Sequence, residues 1–268
     1  MPGRFYMINL HGVKHQRYCE HEESCESKLQ SIVLRRDVIA TNFDLGDHAL
    51  RDNTVGYRIR GVTTLALRRH KASEWSKAGA YYSNRPRSRL VGFRGLCHTG
   101  WESSTTVRYD LAVAFNRTYY ANVSILWTHV ENDECPGIQP TSQSLLDSIS
   151  YADILWGSHF CLLPRGDGRW LWRMGEALQT GCIPVIIADG VTLPFEQVIP
   201  WNEISIRIPE SVVQRRDARA ILSFLHTVSP ARRHHMSTLG QRLFRHHMST
   251  DALQARLTLS CAGIIAAD

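Results

Sequence analysis

The clearest chemical pattern in the chain is Arg165-Gly166-Asp167-Gly168-Arg169, followed by Arg173 and Glu176. Glycines at a turn between a strand and a helix let the backbone come close to a ligand. The helix start beyond them offers unpaired N–H groups and a positive dipole end to a phosphate. Arg165, Arg169 and Arg173 add fixed positive charge at the same place. One turn further, the Glu176 carboxylate can accept two hydrogen bonds at once, which suits the vicinal hydroxyls of a ribose. A diphosphate beside a ribose is one half of a nucleotide. The same residues also fit an i, i+3 surface pair of Arg173 with Glu176 and a plain Gly-Asp-Gly turn.

Such a pattern needs elements that hold it in place. Residues 159–163 read as a buried strand, 164–168 as the turn, 169–180 as a helix stopped by Gly181, and 183–188 as a second apolar strand, a βαβ unit. On the helix, Trp170, Met174, Ala177, Leu178 and Gly181 follow the spacing of a face laid on a sheet. Arg169, Arg173, Glu176 and Thr180 form a separate polar stripe. Alternation begins at Arg89, with a strand at 90–93, a helix at 104–115, a strand at 122–127, a loop at 128–141 and a helix at 142–156. That last helix would place Leu145, Ile149, Ala152 and Trp156 on one side, and residues 204–208 would add a fifth strand. Strands and helices in strict alternation make an α/β, doubly wound parallel sheet. After Pro209 the pattern is helical, with Ser229-Pro230 as an N-cap followed by proline at the first helical position and Ser249 capping the last segment.

The stretch from Ser158 to Asn202 resembles the exostosin family of glycosyltransferases. The residues that carry the resemblance are Phe160-Cys161-Leu162 running into Pro164-Arg165-Gly166-Asp167, then Arg173-x-x-Glu176-Ala177-Leu178. They continue with Gly181-Cys182-Ile183-Pro184-Val185, Asp189-Gly190, Leu193-Pro194-Phe195 and Trp201. The chain departs from the family at Leu171 and Trp172, where members often have a small hydroxyl residue. The resemblance implies a GT-B architecture, two Rossmann-type halves facing each other across a cleft. It also brings in Arg94, at the carboxyl end of the first strand, and Arg108 in the helix that follows, as diphosphate contacts. Arg108 equally fits a pair with Glu102. The implied donor set is Arg94, Arg108, Arg165, Gly166, Asp167, Arg169, Arg173 and Glu176.

Composition narrows the choice less. The 268 residues are 43% hydrophobic with a net charge of +6, and the isoelectric point is near 9.0. That charge suits an anionic partner such as a nucleotide or an acidic glycan. Nucleic acid is disfavoured because no patch interleaves aromatic with basic residues. A dinucleotide oxidoreductase is excluded by the lack of Gly-x-Gly-x-x-Gly after the first strand. Seven cysteines without a Cys-x-x-Cys pair indicate neither a dense disulfide framework nor a zinc ribbon, and Cys161 and Cys182 read as small core residues. Two glycosylation sequons, Asn116-Arg117-Thr118 and Asn122-Val123-Ser124, lend weak support to a secretory compartment. Neither a signal peptide nor an 18-residue apolar run occurs in the chain. The expectation is a Golgi enzyme by resemblance, and a soluble chain as it stands.

Residues 1–88 hold broken strand patterns at 5–10, 31–40 and 61–68, too few for a complete Rossmann-type half. The expected organisation is a partial acceptor-side region at 1–88, a nucleotide-sugar domain at 89–226 and C-terminal helices at 227–268. On a helix His11, His15 and Cys19 would share one face at metal-ligand spacing, but with His21 and Cys25 they read rather as a polar loop in which Cys19 and Cys25 could pair. The repeated Arg-His-His-Met-Ser-Thr at 233–238 and 245–250 reads as a solvated basic surface. The expected function is inverting transfer of a sugar from a UDP-sugar to a glycan or glycoconjugate. Arginines stabilise the leaving diphosphate in this reading, so no metal is needed, and no Asp-x-Asp triplet is present to hold one. No catalytic base stands out; Asp44, Asp47 and His48 are polar residues in the relevant region. The alternative is a non-catalytic, sugar-nucleotide- or glycan-binding partner subunit in a homo- or hetero-oligomeric glycosyltransferase.

Overall fold

The structure is a computed structural model that describes residues 6–9, 38–42, 61–63, 72–98, 106–116, 120–130, 134–165, 173–191, 193 and 199–248. The Cys/His residues at 11–25, the polar residues Asp44, Asp47 and His48, the cap Ser249, and the site residues Gly166, Asp167 and Arg169 lie outside the described residues. The chain divides into two compact units. In the first, β1 (Tyr6–Asn9), β2 (Val38–Asn42) and β3 (Gly61–Thr63) form a parallel sheet in that order, with Ile8 opposite Ala40 and Ala40 opposite Gly61.

The second unit spans Leu67–Asp189 and Pro200–His246. Its sheet contains β4 (Arg89–Cys97), β5 (Val123–Val130), β6 (Ser158–Pro164), β7 (Ile183–Ile187) and β8 (Ile206–Arg207). All are parallel, in the order β5-β4-β6-β7-β8. Strands covered on both faces read as continuous apolar runs, and β7 (IPVII) is buried throughout. Phe93, Phe160, Leu162, Ile183 and Ile187 are at most 2% exposed. Each such side chain contributes roughly 1.5 to 3 kcal/mol.

Helix α1 (Ala72–Tyr82) precedes β4 and packs on α4 (Tyr151–Gly157) through an edge-on contact of Trp75 with Trp156, ring centres 6.3 Å apart. Helix α2 (Val107–Asn116) connects β4 to β5, where residues 104–115 are expected. Strand β5 runs three residues beyond its expected end because β4 keeps pairing with it past a bulge at Gly95/Leu96, with Leu96 opposite His129 and Cys97 opposite Val130.

The helix expected at 142–156 is two helices, α3 (Gln143–Ser148) and α4. The break falls at Ile149, which is extended, and Ser150 then starts α4 with a reciprocal capping box. The Ser150 Oγ accepts from Asp153 N at 3.0 Å and Asp153 Oδ2 accepts from Ser150 N at 2.9 Å. The break also turns α3, so that Leu146 is buried and Leu145, expected inside, is 41% exposed.

Helix α5 (Arg173–Thr180) leads from β6 to β7, and Gly181 ends it in the left-handed region at φ 75°. The expected strand at 204–208 is shorter: Trp201–Ile204 forms the helical turn α6, closed by a hydrogen bond from Ser205 Oγ to Trp201 O at 2.6 Å, and β8 follows. Helices α7 (Glu210–Val213), α8 (Ala218–His226) and α9 (Pro230–Leu243) complete the unit, with a π-helical turn at Phe244–Met248 after them. Ser229 caps α9 as expected, accepting from Arg232 N at 3.2 Å. Arg232, His234 and His235 on α9 are solvent-exposed.

Cys161 and Cys182 are not separate core residues: they form a disulfide across the β6–α5–β7 unit, with Cα atoms 5.8 Å apart. A second disulfide, Cys97–Cys135, ties the end of β4 to the loop after β5. Strand neighbours bring these sulfurs together over sequence separations of 21 and 38 residues.

Candidate active site: the carboxyl edge of the second sheet

From β4 the chain moves through α2 to β5 on one side, and from β6 it moves through α5 to β7 on the other. Strands β4 and β6 are neighbours, so the crevice beyond their carboxyl ends is a topological switch point, where open α/β sheets bind ligands.

Arg108 joins the two strand ends there. Its Nε donates to Arg165 O at 3.1 Å and its Nη1 to Leu96 O at 3.3 Å. The same Nη1 lies 3.0 Å from His98 Nε2. Arginine only donates, so His98 Nε2 is the acceptor in this contact. Arg165 extends the β6 ladder by donating its backbone N–H to Ile187 O at 2.9 Å. Its Nε lies 3.5 Å from Glu210 Oε1. Glu210 is itself fixed by Asp189, whose N–H donates to Oε1 at 2.9 Å and whose carboxylate accepts from Glu210 N at 3.3 Å.

Arg173 stands at the start of α5 between two rings. Its guanidinium carbon is 4.9 Å from the Phe93 ring centre and 5.7 Å from that of Tyr151, both within cation–π range. It also lies against the backbone of Gly95, where an added Cβ would be 2.5 Å from Nη2. Among the described residues no carboxylate pairs with it. Glu176, one turn on, is only 2% exposed and accepts a hydrogen bond at Oε2 from the Tyr151 hydroxyl. The surface pair of Arg173 with Glu176 that the sequence also allowed is therefore not what forms.

Two members of the polar stripe of α5, Glu176 and Thr180, are buried and not solvent-facing. Thr180 is fully buried and bonds back to its own helix, at Ala177 O (2.9 Å) and Glu176 O (3.1 Å). Helices α4 and α9 flank α5 and account for that burial. Of the residues singled out from sequence, Arg108, Arg165, Arg173 and Glu176 are brought to this edge. Arg94 turns to the other side of β4, where its Nη1 donates to Leu146 O at 2.9 Å and to Ile149 O, closing the end of α3. Sequence reasoning passed over Tyr151, Phe93, Gly95 and Glu210. The Ser150-x-x-Asp153 pattern, a helix start signal, would have put Tyr151 at the head of its own helix.

Residues 51–224 match the family profile described as the Exostosin GT47 domain, and the chain belongs to this family. It is 37% identical over 135 residues to a probable glucuronosyltransferase of Oryza sativa subsp. japonica, covering 50% of this chain and 27% of the relative. It is 34% identical over 134 residues to a probable beta-1,4-xylosyltransferase of Arabidopsis thaliana, covering 49% and 29%. It is 36% identical over 106 residues to an exostosin-1 homolog of Caenorhabditis elegans, covering 40% and 25%. The matched part thus spans under a third of each of these curated relatives, and two of the three are named as glycosyltransferases.

Proposed function

We propose that this chain carries the donor-binding half of an inverting glycosyltransferase that moves a sugar from a UDP-sugar to a glycan or glycoconjugate acceptor. The observation that carries the reading is the arrival of Arg108, Arg165 and Arg173, from three elements, at the switch point of a parallel sheet beside Glu176. Gly166, Asp167 and Arg169 complete the proposed donor set, with Arg94 holding the scaffold behind it. As the glycosidic bond breaks, negative charge grows on the leaving diphosphate. Cations fixed in advance stabilise that charge more than the ground state, which accelerates departure without calling on a metal. Inversion takes attack by the acceptor hydroxyl from the opposite face, helped by a base that the described residues do not assign. The two disulfides support an oxidising compartment such as the Golgi lumen. Among the described residues no helix is long and apolar enough to cross a membrane.

The test is UDP release from a panel of UDP-sugars incubated with the purified chain in excess EDTA. Turnover of one donor that persists in chelator is the expected result. Turnover lost in EDTA and restored by manganese contradicts the metal-free mechanism. UDP binding without turnover of any donor favours the partner-subunit reading over the enzyme, and no binding of UDP contradicts both.

A further inference from the structure

The proposed donor residues Arg173 and Glu176 are one turn apart on α5, yet neither is fixed by the other. Both meet Tyr151, the first residue of α4: its hydroxyl donates to Glu176 Oε2 and its ring lies under the Arg173 guanidinium. Phe93 from β4 also lies against that guanidinium, and the missing side chain at Gly95 leaves the space it occupies.

We infer that Tyr151 is a positioning residue of the donor site, setting the Arg173 cation and the Glu176 carboxylate as one preformed unit before the nucleotide arrives. This rests on the donor-site reading above. Tyr151 suits the role because its own place is over-determined. Ser150 and Asp153 cap the helix start on either side of it, and Arg94 anchors Ile149 two residues earlier. Arg94 thereby acts on the site through Tyr151 and not by touching a phosphate. A hydroxyl that donates to the buried Glu176 carboxyl group gives it a fixed orientation, so the ligand does not have to supply it. A tyrosine also holds the guanidinium in place without neutralising it, which a carboxylate in the same position would do.

The test is UDP affinity, measured by calorimetry on the full chain, for Tyr151→Phe, Glu176→Gln, Arg173→Ala and the double variant Tyr151→Phe/Glu176→Gln, with melting temperatures recorded alongside. Tyr151→Phe keeps the ring and removes only the hydroxyl; UDP binding is expected to weaken about fivefold to tenfold, and the same change is expected to have almost no effect in the Glu176→Gln background. A merely structural tyrosine lowers the melting temperature and leaves affinity alone, or weakens binding by the same factor in both backgrounds, and either result overturns the inference. If Arg173→Ala loses affinity while Tyr151→Phe binds as wild type, Tyr151 is idle and the donor site stands; if none of the variants changes affinity, the donor-site reading itself fails. Should Tyr151→Phe not fold, 3-fluorotyrosine placed at position 151 keeps the hydroxyl and reports by its fluorine resonance. A shift that saturates with UDP at the calorimetric Kd supports the inference, and an unmoved resonance overturns it.

Discussion

Arg87 and Arg173, at the two edges of the five-stranded sheet, are partnered in opposite ways. At the amino edge, Arg87 is enclosed and donates to four carbonyls: Leu155 (3.2 Å), Trp156 (3.0 Å), Ser158 (2.7 Å) and Thr180 (2.6 Å). Burial lowers its pKa to about 10. Arg89 beside it bonds Ser124 Oγ at 3.1 Å and Asp153 O at 3.2 Å. At the carboxyl edge, Arg173 meets two rings and a glycine backbone, and Arg108 bridges two strand ends. Arg87, engaged with four carbonyls, serves the fold. Arg173, held by two rings, has no carboxylate beside it among the described residues. The difference teaches that charge alone does not mark a binding site; how the guanidinium is partnered does.

The contrast can be broken most forcefully at the amino edge. Arg87→Ala strips four carbonyls of a charged donor, and the expected loss is at least about 3 kcal/mol of stability, read by urea unfolding. UDP affinity of the folded fraction should be unchanged; a drop in affinity at undiminished stability would erase the distinction between the edges. The Cys161→Ala/Cys182→Ala pair should cost about 3 kcal/mol by releasing the loop that carries α5. A variant as stable as wild type would show that packing alone holds that unit.

Gly95→Ala sharpens the comparison from the other side. A Cβ there would meet Arg173 Nη2 at 2.5 Å and Nη1 at 2.8 Å, the far end of a flexible side chain, and Phe93 Cζ at 2.9 Å, so the cation moves and the Phe93 ring gives slightly. The expected effect is about a tenfold loss of UDP affinity, about 1.4 kcal/mol, with a small change in melting temperature. A large fall in melting temperature with intact affinity would place Gly95 in the fold and not in the site.

The smallest effect concerns pH. Burial, then the charges of Arg233 and Arg87, hold the His159 pKa down at about 4, against an ordinary 6.5. The folded state therefore binds fewer protons than the unfolded state below pH 6.5. This contribution is fully present above pH 6.5 and is lost as pH falls from there towards 4. The ring is partly exposed, so solvent screening reduces the effect to on the order of 1 kcal/mol. His159→Gln should flatten that part of the stability profile, and an unchanged slope between pH 6.5 and 4 would contradict the assignment.

What could be read from sequence was local. The βαβ unit around Arg173, the Gly181 stop and the Ser229-Pro230 start depend on neighbours a few residues away, and their described parts are found where expected, residues 166–172 lying outside the described residues. The disulfides, the burial of Glu176 and Thr180, and the turning of Arg94 to the end of α3 are set by residues far off in the chain. Tyr151 lies between these cases. Its helix start was written in Ser150-x-x-Asp153, but its meeting with Glu176 depends on how α4 and α5 pack. The candidate site was thus legible as a set of charges along the chain and not as an arrangement shared among β4, α4 and α5.

The central claim is that the carboxyl edge binds a nucleoside diphosphate through fixed arginine. Its most direct test is calorimetric titration of UDP into the full chain and into Arg173→Ala, both in EDTA. The account predicts saturable binding to the wild type and affinity weakened at least tenfold in the variant, the loss of a charged hydrogen bond worth about 1.5 to 3 kcal/mol, at an unchanged melting temperature. Equal affinities for the two chains, or no saturable binding to the wild type, would contradict it.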